Sequence, residues 1–235
     1  MSAAPTLQLA NRLVQGLPRK DRDRILKQCT TVDLDFGDIL CQPDQRIRHV
    51  YFPIAGFISL VVTVHGHPPL ETGLIGQEGM LGATLALGID TAGLRAVVQG
   101  SGSALRMTAE QFRCELDTCP ALLRTLNRYL YLMLAQLSQV AACGRFHLIE
   151  GRLARLLLMA HDRVQKGNLQ LTHESLAEML GMQRSAVTIA AGNLQRKKLI
   201  RYARGQIRVL NRPRLEAACC ECYAAANEYY RRSVA

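Results

Sequence analysis

The chain has 235 residues, of which 49% are hydrophobic and 20% are charged, and its formal net charge at pH 7 is +10. This composition is that of a globular protein, and the length favours two domains. No apolar run approaches the roughly 20 residues of a membrane-spanning helix, and the N-terminus lacks the features of a signal peptide. We therefore expect a cytoplasmic protein without membrane contact.

The charge of the chain is unevenly distributed. Residues 118–235 carry 18 basic and 7 acidic side chains, whereas residues 1–117 carry 11 basic and 12 acidic ones. All of the basic excess therefore lies in the second half. This asymmetry indicates an anionic partner for that half, and nucleic acid is favoured over a membrane.

The first 117 residues are predicted to fold as a small antiparallel β-structure. The opening stretch, Leu7 to Cys29, has helical spacing with a break at Pro18, and its inward residues are Leu9, Leu13, Leu17 and Ile25. Short strand candidates follow at Asp38–Cys41, His49–Phe52, Gly56–Val64, Glu71–Ile75, Ala96–Gln99 and Ser103–Met107. Turn residues separate them at close intervals, which is typical of a small barrel or sandwich.

A long amphipathic helix is predicted from about Cys119 to Cys143, with Gly144 ending it. Its apolar residues recur at steps of three and four: Leu122, Leu126, Tyr129, Met133, Leu137 and Val140. Leu123, Leu130 and Leu134 widen this stripe, so that one face can pack on its own domain and another on a second copy of the helix. One small chain can rarely bury so long a stripe, so we predict that the six residues form a dimer interface; an ordinary core helix is the alternative. A second helix is predicted from about Phe146 to Val164, with a cap at Lys166–Gly167. Its predicted inward residues are Leu148, Leu153, Leu156, Leu157 and Ala160.

The region after this second helix predicts a winged helix-turn-helix. Thr172 is a good N-cap for a short helix, and Gly181 permits a tight turn before a second helix from about Arg184 to Lys197. Two short strand candidates around Arg204–Gly205 form a hairpin, the wing. A helix, a turn with glycine and a helix is the arrangement that places the second helix in the DNA major groove.

The predicted DNA contacts follow from this geometry. Polar side chains at the N-terminal end of the second helix can reach base edges, and helix N-termini favour phosphate. Basic residues after the helix and on the wing can neutralise phosphates. The predicted DNA-binding residues are Thr172, His173, Gln183, Arg184, Ser185, Thr188, Lys197 and Arg204.

Four stretches resemble regulators of the bacterial Crp/Fnr superfamily. They are VYFPIAGFISL (50–60), GLIGQEGMLG (73–82), RLARLLLMAHDR (152–163) and LTHESLAEMLGMQRSAVTIAAGNLQRKKLI (171–200). The resemblance implies an α+β fold: an antiparallel, cyclic-nucleotide-binding-like β-roll over 1–117, a dimerisation helix over 118–145 and a winged helix-turn-helix domain over 146–235. It also implies that Arg184 takes the place of the arginine that reads guanine, while Ser185 stands where many members have a glutamate.

The sequence departs from this family at the ligand site. Cyclic-nucleotide-binding members hold the ribose with a Gly-Glu pair and the phosphate with a later Arg-Ser/Thr-Ala. Here Ala83 takes the place of the glutamate, and the later stretch reads Ala92-Gly93-Leu94-Arg95. Since Arg95 alone is a weak phosphate site, we expect no binding of cyclic AMP.

The scattered cysteines predict neither a disulfide framework nor a cofactor. Only Cys29 and Cys41 lie in the first 100 residues, which gives little support for an iron–sulfur cluster of the family's N-terminal type. We interpret Cys219, Cys220 and Cys222 as packing residues, because three thiols at such steps on one helix would point in different directions. We interpret His65 and His67 as parts of a solvated hairpin connection rather than metal ligands.

The leading hypothesis is a dimeric, sequence-specific DNA-binding transcriptional regulator with an unidentified signal. Its expected partners are double-stranded DNA and a second copy of the chain, with RNA polymerase and a small-molecule effector as further candidates. The alternative is a ligand-binding or protein-interaction module whose winged domain contacts protein instead of DNA. An enzyme is disfavoured, because no nucleophile, base and orienting group stand in a recognisable arrangement.

Overall fold

The computed structural model describes residues 11–164 and 168–234. In the N-terminal part the elements are α1 (Arg12–Gln15), α2 (Arg19–Gln28), β1 (Thr30–Leu34), β2 (Ile39–Cys41), β3 (His49–Val62), β4 (Leu70–Ile75), a 3-10 turn (Ala83–Leu87), β5 (Arg95–Thr108) and α3 (Ala109–Thr118). In the C-terminal part they are α4 (Pro120–Phe146), α5 (Ile149–Arg163), β6 (Leu169–Gln170), α6 (His173–Leu180), α7 (Arg184–Arg196), β7 (Ile200–Ala203), β8 (Gln206–Val209), α8 (Arg212–Ala218) and α9 (Cys222–Val234). The predicted inward Leu9 and the predicted cap at Lys166–Gly167 lie outside the described residues.

The N-terminal strands form one antiparallel sheet in the order β1-β5-β3-β4, and β2 also pairs with β5. The predicted β-roll is therefore confirmed. The strands β3 and β5 are each continuous over 14 residues, although the sequence predicted each of them as two separate strands. Irregular pairing between Pro53 and Ile58 bends the ladder without ending it. At this bend Gly56 has φ +77°, and a Cβ there would lie 2.2 Å from the Gly100 oxygen.

The long helix α4 packs one face on the β-roll of its own chain. Leu122, Leu126 and Tyr129 are buried in the β-roll core, and the Tyr129 hydroxyl donates to the Met80 oxygen at 3.2 Å. The sequence prediction placed these three residues at a dimer interface. The structure corrects it, because their side chains already lie inside their own chain and have almost no surface left for a partner.

The bounds of the two central helices also differ from the prediction. The helix α4 continues through Gly144 to Phe146, since a single exposed glycine costs a helix only about 1 kcal/mol and does not end it. Leu148, predicted to face inward, precedes α5 and is 85% exposed. The other predicted inward residues of α5 are buried: Leu153, Leu156, Leu157 and Ala160.

The helix-turn-helix region packs directly on the β-roll. Phe57 and Leu74 of the sheet belong to the same buried cluster as the apolar faces of α5, α6 and α7. The glycine that ends α6, Gly181, lies under Leu70 of β4, and a Cβ at this glycine would come within 2.9 Å of the leucine Cδ1. The helix-turn-helix region thus packs against the sheet through β4.

The last helices correct the assumption that Cys219, Cys220 and Cys222 lie on one helix. The helix α8 ends at Ala218 and α9 begins at Cys222, so the intervening residues do not continue one helix. This break turns Cys220 and Cys222 toward Cys143 of α4, with which they form a small buried cluster. Among the described helices, none combines the length and apolar character that a membrane span requires.

Candidate nucleic-acid interface

The helix-turn-helix is built by local signals at both ends of α6. The Thr172 side chain accepts a hydrogen bond from the Ser175 amide at 3.0 Å, as an N-cap residue does. At the other end, Gly181 is left-handed, with φ +60° and ψ 40°. The chain then needs only residues 181–183 before α7 begins, and this short turn fixes the angle between the two helices.

The helix α7 has a buried face and an exposed polar face. Val187, Ala190, Ala191 and Leu194 are buried in the domain core. Arg184, Ser185 and Thr188 are exposed, and Gln183, which precedes the helix, is exposed as well. The predicted base-reading residues therefore share one solvent-facing surface, which we call the reading face.

The reading face also contains Ile189, which the sequence analysis missed. This side chain is 66% exposed although it is large and apolar. The signal for it was present, because Ile189 directly follows Thr188 and lies one turn after Ser185. An exposed apolar side chain on such a face suits contact with a thymine methyl group.

The Arg184 side chain is exposed and only weakly paired, so a ligand can reach it. Its nearest acidic partner is Glu174, at 3.8 Å between Nε and Oε2, and both side chains are more than 60% exposed. Exposed pairs of this kind contribute at most about 1 kcal/mol. The guanidinium can therefore exchange Glu174 for a base edge at low cost.

His173 connects the reading face to the wing instead of standing free. Its ring stacks on Tyr202 of β7, with centroids 4.2 Å apart, and its Nδ1 lies 3.0 Å from the Thr188 hydroxyl. Desolvation and the nearby charge of Arg184 lower the pKa of His173, which favours the neutral ring. This position suits a role for His173 in orienting the Thr188 side chain and the wing.

The wing is the hairpin β7–β8, and its tip carries two left-handed residues. Arg204 has φ +51° and Gly205 has φ +75°, the conformation that two-residue hairpins require. Exposed basic residues surround the α7 C-terminus and the wing: Arg196, Lys197, Lys198, Arg201, Arg204 and Arg208. This group, the basic rim, provides the charge that phosphate binding needs.

Lys197 and Arg204, both predicted to contact DNA, differ in whether their charge is already paired within the protein. The Lys197 ammonium donates a hydrogen bond to Glu150 at the start of α5, and this contact lowers the pKa of the carboxyl. Arg204, by contrast, projects from the hairpin tip into solvent. Lys197 therefore brings less uncompensated charge to the basic rim than Arg204 does.

The β-roll encloses a cavity of about 570 Å³. Its wall includes the apolar residues Leu60, Ile75 and Met80 and the polar residues Arg46, Arg48 and His49. Ala83, at the position that a carboxylate holds in cyclic-nucleotide-binding proteins, also lines it. Arg95 is not part of the wall that the described residues form.

Comparison with known proteins supports this architecture. Residues 151–218 match the family model of the Crp-like helix-turn-helix domain. No curated protein sequence matches the chain at a significant level.

Several solved structures share the fold. The structure of FixK2 from Bradyrhizobium japonicum has a TM-score of 0.67 at 15% identity, covering 82% of this chain and 98% of that one. A putative Crp/Fnr regulator from Eubacterium rectale has a TM-score of 0.67 at 16% identity, covering 88% and 96%. The regulator CLP from Xanthomonas campestris, described as responsive to c-di-GMP, has a TM-score of 0.64 at 17% identity, covering 83% and 100%. Residues 151–218 are therefore a Crp-like helix-turn-helix domain, carried by a chain with the fold of the Crp/Fnr transcriptional regulators.

Proposed function

We propose that the protein is a dimeric transcriptional regulator that binds an inverted-repeat DNA operator through α7. The observation that carries this proposal is the reading face, on which Arg184, Ser185 and Thr188 project beside an exposed basic rim. A helix fits the width of a major groove, and in this proposal Arg184 donates two hydrogen bonds to N7 and O6 of guanine. Ser185, Thr188 and Ile189 face the neighbouring bases.

The remaining predicted contacts are proposed as phosphate and positioning residues. Thr172 and Gln183 precede helix N-termini, where backbone amides favour an anion. Arg204 contacts the DNA backbone from the wing. Lys197 contacts it when its ion pair with Glu150 opens. His173 acts through Thr188 and Tyr202 rather than through a base.

We propose that the dimer forms through the outward face of α4. Leu123, Leu134 and Leu137 are 37%, 64% and 39% exposed, and Leu130 lies between them half-buried. Steps of seven, four and three separate these leucines, which is the spacing of a coiled-coil seam. This outer stripe replaces the buried part of the predicted interface, whereas Met133 and Val140, both half-buried, stay at its margin.

We propose that the β-roll cavity is the binding site of a small-molecule effector. Its wall combines apolar residues with two arginines, Arg46 and Arg48, and it lacks a carboxylate at Ala83 to accept the hydroxyls of a ribose. The chemistry favours a mainly apolar molecule with one anionic group over cyclic AMP. The cavity lies against Met133 of α4, so a ligand there can act on the dimer helix.

The test is the salt dependence of DNA binding by the full chain. A duplex obtained by selection from random DNA is titrated at several salt concentrations, and the logarithm of affinity is plotted against that of salt. We expect a steep negative slope of about 0.9 per phosphate contacted. Arg204→Ala should reduce its magnitude by about one per subunit, and Lys197→Ala by less, since Lys197 is paired with Glu150. A flat salt dependence, or no preference for the selected duplex, contradicts the proposal.

A further inference from the structure

Four potential metal ligands converge where α4 meets the C-terminal helices. Cys143 and His147 stand one turn apart at the end of α4, Cys220 lies in the break between α8 and α9, and Cys222 is the first residue of α9. One ligand atom from each of the four lies within 4.8 Å of all the others. The three cysteines are buried, and His147 is half-buried.

Two distances within this cluster match those between ligands of a single tetrahedral ion. The Cys143 and Cys220 sulfurs are 3.6 Å apart, and the Cys222 sulfur lies 3.5 Å from Nδ1 of His147. Bond lengths of about 2.3 Å to sulfur and 2.0–2.1 Å to nitrogen place tetrahedral ligands about 3.8 Å apart for two sulfurs and about 3.5 Å for a sulfur and a nitrogen. A disulfide, in contrast, needs a sulfur–sulfur distance of about 2.05 Å.

The surroundings of the histidine also suit a metal. Nε2 of His147 lies 2.9 Å from a carboxylate oxygen of Glu221, while Nδ1 faces the cluster. A metal-binding histidine usually donates its second N–H to such a carboxylate, which leaves the other nitrogen unprotonated toward the ion. Gln139 donates to the Cys222 sulfur at 2.8 Å and orients this thiol in the same way.

From this geometry we propose that Cys143, His147, Cys220 and Cys222 bind one Zn²⁺ ion in a closed structural site. Three thiolates and one imidazole are a common ligand set of structural zinc, and four protein ligands leave no open position for catalysis. The site would fix α9 and the end of α8 to the last turn of α4, beside His147, where the chain passes from the long helix into the helix-turn-helix domain.

The proposal is tested on the full-length protein purified under reducing conditions without chelators. Elemental analysis is expected to find one zinc per chain. After exchange with Co²⁺ alone, the protein should show the strong visible absorption of tetrahedral cobalt together with thiolate-to-cobalt charge transfer. Cys220→Ser should lose both signals, and Cys219→Ser, the matched control outside the cluster, should keep them.

His147→Cys keeps the test valid if Cys220→Ser fails to fold. This variant offers four thiolates, so it should retain the metal and gain charge-transfer intensity. Three outcomes overturn the proposal: wild-type protein that binds neither zinc nor cobalt, iron with acid-labile sulfide in place of zinc, or a Cys143–Cys220 disulfide in protein whose reduced form takes up no metal.

Discussion

Arg163 of α5 donates to one carboxylate oxygen of Glu78 through both Nε, at 2.8 Å, and Nη2, at 2.6 Å. The two side chains are 7% and 8% exposed, so the pair is almost completely removed from water. Glu78 follows β4 in the β-roll, and its carboxylate also accepts the Gly76 amide at 3.1 Å. This ion pair joins the β-roll to the helix that leads into the DNA-binding region.

We expect Glu78→Gln to destabilise the protein strongly. The substitution leaves the Arg163 guanidinium buried without its counter-charge, which costs about 3–5 kcal/mol. Urea unfolding measures this loss, and the control is Asp23→Asn in the exposed Arg19–Asp23 pair, where we expect at most about 1 kcal/mol. Equal effects of the two substitutions would show that the buried pair does not couple the two regions.

A second prediction concerns Glu71, a buried carboxyl in β4. It lies 2.5 Å from the Ser59 hydroxyl, and burial raises its pKa from 4.5 to about 7. The folded state therefore binds the Glu71 proton more tightly than the unfolded state does. The contribution of this proton to the free energy of unfolding is complete below pH 4.5 and is lost as the pH rises toward 7.

Glu71→Gln should remove this pH dependence, since the amide does not ionise. Between pH 5 and pH 7 the free energy of unfolding of the wild type should fall relative to that of the variant by about 1 kcal/mol per pH unit. Urea unfolding of both proteins at several pH values measures the difference. Parallel curves would mean that Glu71 ionises in the folded protein at its ordinary pKa.

A third prediction concerns the outer stripe of α4. Leu134→Glu should shift the protein toward monomers, because it replaces about 1.5–3 kcal/mol of leucine burial per chain with a charge that must be desolvated. Arg128→Glu, on the exposed side of the same helix but outside the stripe, is the control. Light scattering over a range of concentrations measures the assembly state; dimers of equal stability in both variants would place the interface elsewhere.

The helix-turn-helix was predictable because its signals are local. Thr172 caps α6, Gly181 turns the chain, and Arg204–Gly205 closes the wing, each through its own backbone conformation. The β-roll was harder, because the bends near Gly56 resemble strand ends in the sequence. In the structure those bends are absorbed within a continuous pairing of β3 with β5.

The partners of exposed and buried faces could not be predicted from periodicity. The spacing of Leu122, Leu126 and Tyr129 indicates an apolar face, but it does not distinguish the β-roll from a second chain. The cysteine cluster was missed for a related reason. Cys143 and Cys220 are 77 positions apart, and they meet only because the helix breaks between Ala218 and Cys222.

The most direct test of the proposed function is selection of binding sites from random DNA with the wild type, Arg184→Ala and Arg204→Ala. The wild type should select an inverted repeat with half-sites about one helical turn apart. Arg184→Ala should lose a guanine preference at one symmetric position, at a cost of about 1–3 kcal/mol per half-site, whereas Arg204→Ala should select the wild-type site with uniformly weaker affinity. If Arg184→Ala selects the same site as the wild type, another residue reads that base and the assignment of the reading face is contradicted.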